Sequence, residues 1–303
     1  MEPAQRQLSR GVQDLLAYAG KQRDAVVHNE SGARRGDEDG VHDMRVAIRR
    51  LRSTLRSFRG LWERDRSEAL RGELKWLADQ LGPVRDSHVM GGRLAKAIEA
   101  EPPELVVGPV ATRVRRHFDA DTAEALGRLR DALDSDRYHR ILAELDALVS
   151  ATPARPRGGG WVRRRGRRAL RRADRMLDEA NGQKASGGAK SSDDRNAALH
   201  EARKAYKRAR YAVEVLAGRA GKPASRLAKR ISKLQDVLGA HQDSVITREV
   251  LRDEGTRAQG AGESAFTYGL LHGRQRALSD RVLRRLPRVV RRSRRGRVRN
   301  WLR

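Results

Sequence analysis

Residues 41–58 read Val41-His42-Asp43-Met44-Arg45-Val46-Ala47-Ile48-Arg49-Arg50-Leu51-Arg52-Ser53-Thr54-Leu55-Arg56-Ser57-Phe58. On a helical wheel Val41, Met44, Ile48, Leu51, Leu55 and Phe58 fall within a sector of about 100°. His42, Arg45, Arg49, Arg52, Arg56 and the following Arg59 fill the neighbouring sector. A strand would alternate apolar and polar residues, and this stretch does not. It is an amphipathic helix with one stripe to bury and a continuous basic stripe beside it. From His42 to Arg56 the basic stripe covers about 21 Å at the rise of an α-helix.

The same register returns later. Leu199-His200-Glu201-Ala202-Arg203 lines up with Val41-His42-Asp43-Met44-Arg45, an offset of 158 residues. Lys207-Arg208-Ala209-Arg210 then meets Arg49-Arg50-Leu51-Arg52. Leu199, Ala202, Tyr206, Ala209, Val213 and Leu216 form the second apolar face, and His200, Arg203, Lys207 and Arg210 the second basic stripe. Glu214 stands where Arg56 stands, so this stripe is shorter or is crossed by an internal ion pair. Further along, Leu81-Gly82-Pro83-Val84-Arg85-Asp86-Ser87 meets Leu238-Gly239-Ala240-His241-Gln242-Asp243-Ser244 at an offset of 157. Two matched segments at nearly one offset argue for duplication of a helical unit. The fold class expected is all-α: two similar bundles related by a pseudo-two-fold axis.

Working outward, helices are expected over 5–28, 41–60, 66–81, 84–99, 105–133 and 137–149 in the first half. In the second they are expected over 161–180, 194–217, 222–238, 241–254 and 262–285. Ser31 to Gly36 reads as a break, 151–160 as a linker between halves, and 182–192 as a mobile loop. Residues 1–150 and 151–285 are then the two bundles, and 286–303 a basic tail, either solvated or an added phosphate-binding arm. Gly82 and Gly239 suit the residue after a helix end, with Pro83 entering the next helix and Asp86 and Asp243 in its first turn, favoured there by the helix dipole. Lys75, Arg85, Lys229 and Lys233 flank these turns and extend the basic surface.

Composition narrows the partner. The chain of 303 residues carries 66 Lys and Arg against 39 Asp and Glu, a formal net charge of +27. Such an excess opposes a compact fold unless anions offset it, so a polyanion is the expected partner. No cysteine is present, which excludes disulfides and thiolate chemistry. No apolar run reaches the length of a membrane span, and Met1 to Gln7 lacks the apolar core of a secretory signal, so the cytoplasm is the expected compartment.

Arginines recurring once per turn suit a linear anion with regularly spaced charges better than one small metabolite. The guanidinium is a planar fork for phosphate oxygens and stays charged. A purely structural stripe would need acids at i±3 or i±4, and only Asp43 and Glu63 are close in sequence. The two histidines open the stripes at matching positions. Neighbouring arginines favour neutral imidazole in the empty site and bound phosphate favours the charged form, so affinity is expected to rise as pH falls through about 6.5.

The paired segments VHDMRVAIRRLRSTLRSF and LHEARKAYKRARYAVEVL, each followed by LGPVRDSHV or LGAHQDSVI, resemble the CHAD family, α-helical domains marked by histidines. The resemblance spans nearly the whole chain up to about residue 285. It implies two bundles whose basic helices face a central groove or pore that binds inorganic polyphosphate, and an association with polyphosphate-bearing granules. By position it assigns His42, Arg45, Arg49 and Arg52, with His200, Arg203, Lys207 and Arg210; Arg56 and Arg208 extend the set. Many members carry a triphosphate-tunnel domain with a Glu-x-Glu-x-Lys motif. That motif is missing from this chain, so a stand-alone form without triphosphatase activity is expected.

The leading expectation is thus a non-enzymatic polyphosphate-binding protein without cofactor or metal. The alternative is a nucleic-acid-binding or nucleoid-associated protein. Aromatic residues make up only 4% of the chain, which argues against single-strand stacking platforms. A metal-dependent phosphohydrolase built on His42-Asp43 would need further converging ligands, and the arginine stripe would repel the cation.

Overall fold

Apolar residues three or four positions apart recur through the chain, and each such run forms a helix. The computed structural model describes residues 8–150, 157–158, 160–182 and 192–302. Among them the first half comprises α1 (Arg10–His28), α2 (Glu30–Arg35), α3 (Glu38–Ser57), α4 (Arg64–Glu99), α5 (Val110–Asp134) and α6 (Asp136–Ser150). The second comprises α7 (Trp161–Gly182), α8 (Ser192–Val215), α9 (Ala217–Ala220), α10 (Lys222–Gly260), α11 (Phe266–Leu283), α12 (Leu286–Arg294) and α13 (Gly296–Arg299). Short 3₁₀ turns lie at Pro103–Leu105 and Asn300–Leu302, and no strand occurs among the described residues. The fold is all-α, as expected.

The largest departure from the expected elements lies at Gly82 and Gly239. Neither ends a helix. α4 runs unbroken through Gly82-Pro83 and α10 through Gly239. At 36 and 39 residues they are about 54 and 58 Å long. The reason is the apolar spacing. Leu74, Leu77, Leu81, Val84, Ser87, Met90 and Leu94 are all buried at steps of three or four across the Gly-Pro pair. In α10 the series is Leu227, Ile231, Leu234, Leu238, His241 and Ser244. Continuous burial outweighs the backbone hydrogen bond that Pro83 forgoes. Asp86 and Asp243 therefore sit in mid-helix, not in a first turn, and the helix dipole does not explain them.

Other boundaries shift for local reasons. Residues 31–36, expected as a break, fall largely in α2, which Gly36 closes in the left-handed conformation at φ 81°. Asp37, Glu38 and Asp39 then start α3 earlier than residue 41, their carboxylates near its N-terminal amides. Pro102, Pro103 and Pro109 hold α5 back to Val110. Beyond 285 the chain is helical and docked: Leu286 and Leu302 are buried, and Val289, Val290, Val298 and Trp301 pack against the core. Arg294 and Arg299 pair with Asp174 of α7. Most of the expected linker, and residues 183–191 of the expected loop, lie outside the described residues.

The order of packing is repeated. In the first half α3 packs on α1 and α4, and α4 on α5. In the second, α8 packs on α7 and α10, and α10 on α11. The halves meet where α3 packs on α8, over one continuous core that includes Met44, Ile48, Leu51, Ala202, Tyr206 and Ala209. A second junction lies at the far ends of the long helices. There Met90, Leu94, Phe118, Leu251, Tyr268 and Leu271 form a separate apolar cluster. No helix among the described residues is long and apolar enough to cross a membrane.

Candidate functional site

Burying the apolar stripes of α3 and α8 against the same core brings their basic stripes together. Arg45 and Arg49 of α3 meet Arg203 and Lys207 of α8. Lys207 is half-buried, and burial is the main cause that pushes its ammonium down to about 7. The charges of Arg203, Arg49 and Arg45 push the same way, and Asp243 opposes them. Nε of Arg49 donates to the Tyr211 hydroxyl at 3.2 Å, which ties α3 to α8 at the centre of this cluster. Four cations gathered in a partly desolvated place are costly alone, and a polyanion offsets that cost.

Each half sets its first stripe arginine over the glycine of a long helix, with an aspartate four residues further on. Nη1 of Arg45 donates to Oδ1 of Asp86 at 3.2 Å, and a Cβ built on Gly82 would lie 3.8 Å from its Nη2. Arg203 lies over Gly239, where a built Cβ would meet Nη2 at 3.3 Å and Nε at 3.4 Å. Asp243 acts on Arg203 through its charge alone, whereas Asp86 also bonds Arg45. Burial is the largest influence on both guanidiniums and lowers their pKa. Asp243 also accepts from Arg93 of α4 at 2.9 Å, so it links the halves. The acids that a structural stripe would need thus arrive from the long helices, at positions that i±4 spacing within one helix cannot show.

The histidines open the two stripes. His42 stands beside Arg85, Asp43, Arg49 and Arg45, and His200 beside Lys204, Gln242, Arg203 and Glu201. Partial desolvation, followed by the charge of Arg85 at His42 and of Lys204 at His200, lowers both imidazoles from their ordinary value. Arg85 is held there by Glu38 at 2.6 Å.

The first stripe continues outward. Arg52 lies near Arg71 and Arg56, with Asp79 opposing, and Arg208 near Arg56 and Arg172 of α7. Arg56 thereby joins the outer parts of the two stripes. Arg172, Arg71 and Tyr211 take part without belonging to either sequence stripe. Tyr211 is buried on α8 four residues after Lys207, on the stripe side of the wheel, and carries no charge to mark it. Arg210 is drawn aside: its Nε lies 3.2 Å from Glu214 and its Nη1 donates to Ser232 at 3.4 Å. Glu214 also meets Nε of Arg50 at 3.4 Å and accepts the Tyr18 hydroxyl at 3.1 Å. The second stripe is therefore crossed by an internal ion pair. Lys75 is exposed and paired with Asp79 at 2.6 Å. Lys229 and Lys233 are exposed on α10 and are not among the main charges acting on Lys207.

Compared with known proteins, residues 17–252 match the CHAD domain model, a span that contains both stripes and both Leu-Gly segments. The chain belongs to the CHAD family. Two relatives in Mycobacterium tuberculosis, the uncharacterized proteins Rv2226 and MT2285, are each 34% identical over 97% of this chain. The chain spans 55% of their length, about half. Among solved structures, PptA from Streptomyces chartreusis superposes with a TM-score of 0.75 at 20% identity, covering 92% of this chain and 98% of that one. At that identity the likeness shows the fold. In this CHAD unit the seam between α3 and α8 is where Arg45, Arg49, Arg203 and Lys207 meet.

Proposed function

We propose that the protein binds inorganic polyphosphate without turning it over, along the two stripes joined at the α3–α8 seam. The observation that carries this reading is Lys207, half-buried among Arg45, Arg49 and Arg203. No single side chain neutralises that cluster, and a chain of phosphates can answer several charges at once. CHAD membership supports the same ligand. The seam also suits a thin, flexible polymer better than duplex nucleic acid. Its cations lie beside buried faces of α3 and α8, not on a freely projecting helix that could enter a groove. The same surface would carry the protein to polyphosphate granules in the cytoplasm and give it weak affinity for nucleic acid.

The reading contains no catalytic step. His42 and Asp43 stand among Arg45, Arg49 and Arg85, whose charges repel a divalent cation. Competition at about 0.2 M salt tests the ligand, because counterion release weakens both complexes there. Labelled polyphosphate should resist displacement by duplex DNA at equal phosphate concentration, and its chain length should stay unchanged on a gel with Mg²⁺ or Mn²⁺. Displacement by DNA would favour the nucleic-acid reading, and shortening of the chain would make the protein a hydrolase.

A further inference from the structure

The two halves differ at one core position on the long helices. Val84 is fully buried in α4, and its counterpart at the offset that relates Gly82 to Gly239 is His241 of α10, 3% exposed. Two residues along a helix is about 200° of rotation, so His241 faces away from Gly239 and the stripe. Nδ1 of His241 lies 2.7 Å from Oγ of Ser279 on α11, and Nε2 has no hydrogen-bond partner. A buried polar nitrogen left so costs about 1–3 kcal/mol, where valine at the same place costs nothing of the kind.

A cavity of about 310 Å³ lies against this ring. Arg195 of α8, Arg248 of α10 and Arg276 of α11 line it with Ser279, and so do Asp193 and Asp280. Nε of Arg195 and of Arg248 also lack partners. Three guanidiniums and an imidazole N–H suit the oxygens of an anion. Two carboxylates in the same wall disfavour a fully ionised anion, yet each can accept a hydrogen bond from an oxygen that keeps its proton. Hydrogen phosphate offers both kinds of oxygen, and sulfate at neutral pH offers only one.

We propose that this cavity binds a single hydrogen phosphate ion. His241 and the guanidiniums of Arg195, Arg248 and Arg276 hold its oxygens, and a carboxylate accepts a hydrogen bond from its remaining O–H. The site is separate from the stripe and does not rest on the polyphosphate reading.

Orthophosphate titration of the full chain by calorimetry, with histidine ¹⁵N resonances followed in parallel, tests this. Wild type and an Arg49→Gln/Lys207→Gln variant should bind orthophosphate equally, with sulfate at least tenfold weaker. His241→Val, which installs the first-half residue, and Arg248→Gln should each weaken orthophosphate at least tenfold and leave long-chain polyphosphate affinity unchanged. The His241 Nε2 resonance of the wild type should move on saturation, a readout that needs no variant to fold. An unmoved His241 resonance, unchanged phosphate affinity in Arg248→Gln, loss of phosphate binding in the stripe variant, or equal affinity for sulfate would each overturn the assignment.

Discussion

Nη1 of Arg45 reaches Oδ1 of Asp86 at 3.2 Å across a helix face that Gly82 leaves open. In the second half Arg203 lies over Gly239 within the field of Asp243, whose carboxylate is bonded to Arg93. The Leu-Gly-x-x-x-Asp segment of each repeat is thus the seat of a stripe arginine, not a turn. At Gly239 the missing side chain makes room for Arg203, and at Asp86 the carboxylate holds the Arg45 guanidinium partly in place.

The glycines give a paired test. Alanine in mid-helix stabilises by about 1 kcal/mol relative to glycine. At Gly82 the added Cβ meets Arg45 at 3.8 Å, ordinary contact, so Gly82→Ala should leave polyphosphate affinity nearly unchanged, its helix gain offset by the contact of that Cβ with the Pro83 ring. At Gly239 the contacts of 3.3 and 3.4 Å require Arg203 to shift. Gly239→Ala should therefore weaken binding several-fold without destabilising the fold. Urea denaturation and polyphosphate titration of both variants check this, and equal binding by the two would deny the glycine its role.

Asp86 competes with a bound anion for Arg45. Its side chain is 70% exposed, so the ion pair is worth under about 1 kcal/mol to the fold. Asp86→Asn should leave the melting temperature within a degree or two and tighten polyphosphate binding about two- to threefold. Weaker binding would mean that the carboxylate chiefly positions Arg45.

Lys207 is a half-buried cation among cations. Lys207→Met should stabilise the unliganded protein by on the order of 1 kcal/mol or more, after allowance for solvent screening, and weaken polyphosphate binding at least tenfold. Calorimetric melting with and without ligand separates the two effects. A less stable Lys207→Met protein would contradict the charge repulsion at the seam.

The same residue sets a pH dependence. With a pKa near 7 in the fold against 10.5 ordinarily, Lys207 binds fewer protons folded than unfolded between those values. Stability of the unliganded protein should therefore rise from about pH 7 toward 10.5, since the unfolded chain holds the extra proton there. Polyphosphate should restore the proton, so affinity should fall as pH rises through about 7. His42 and His200, both lowered, add to that trend at more acid pH. Proton uptake on binding, read from calorimetry in buffers of different ionisation enthalpy, measures it directly, and zero uptake at pH 8 would remove Lys207 from the site.

Much of this was legible in the sequence because stripe and core share one wheel. The residues that bury Val41, Met44, Ile48 and Leu51 fix where Arg45 and Arg49 point, and the repeat carries the same logic to Arg203 and Lys207. Gly82-Pro83 misled because glycine and proline are strong local stop signals, whereas the Leu77, Leu81, Val84 spacing that overrides them is spread over several turns. The partners of the stripe were hidden for a different reason. Asp86 and Asp243 reach it only through helix packing, and no spacing within one helix connects them to it; Tyr211 sits four residues after Lys207 but carries no charge to mark it. The docked segment after Leu286 was obscured by its arginines, although Leu286, Val290 and Leu302 supply the apolar contacts that hold it.

The most direct test is a polyphosphate titration of wild type beside an Arg45/Arg49/Arg203/Lys207→Ala variant, over a range of salt concentrations. The variant should keep its helical circular dichroism, bind at least a hundredfold more weakly and show a shallower dependence of log affinity on log salt, because fewer counterions are released. A folded variant with wild-type affinity and salt slope would contradict the seam as the binding site and move it elsewhere on the basic surface.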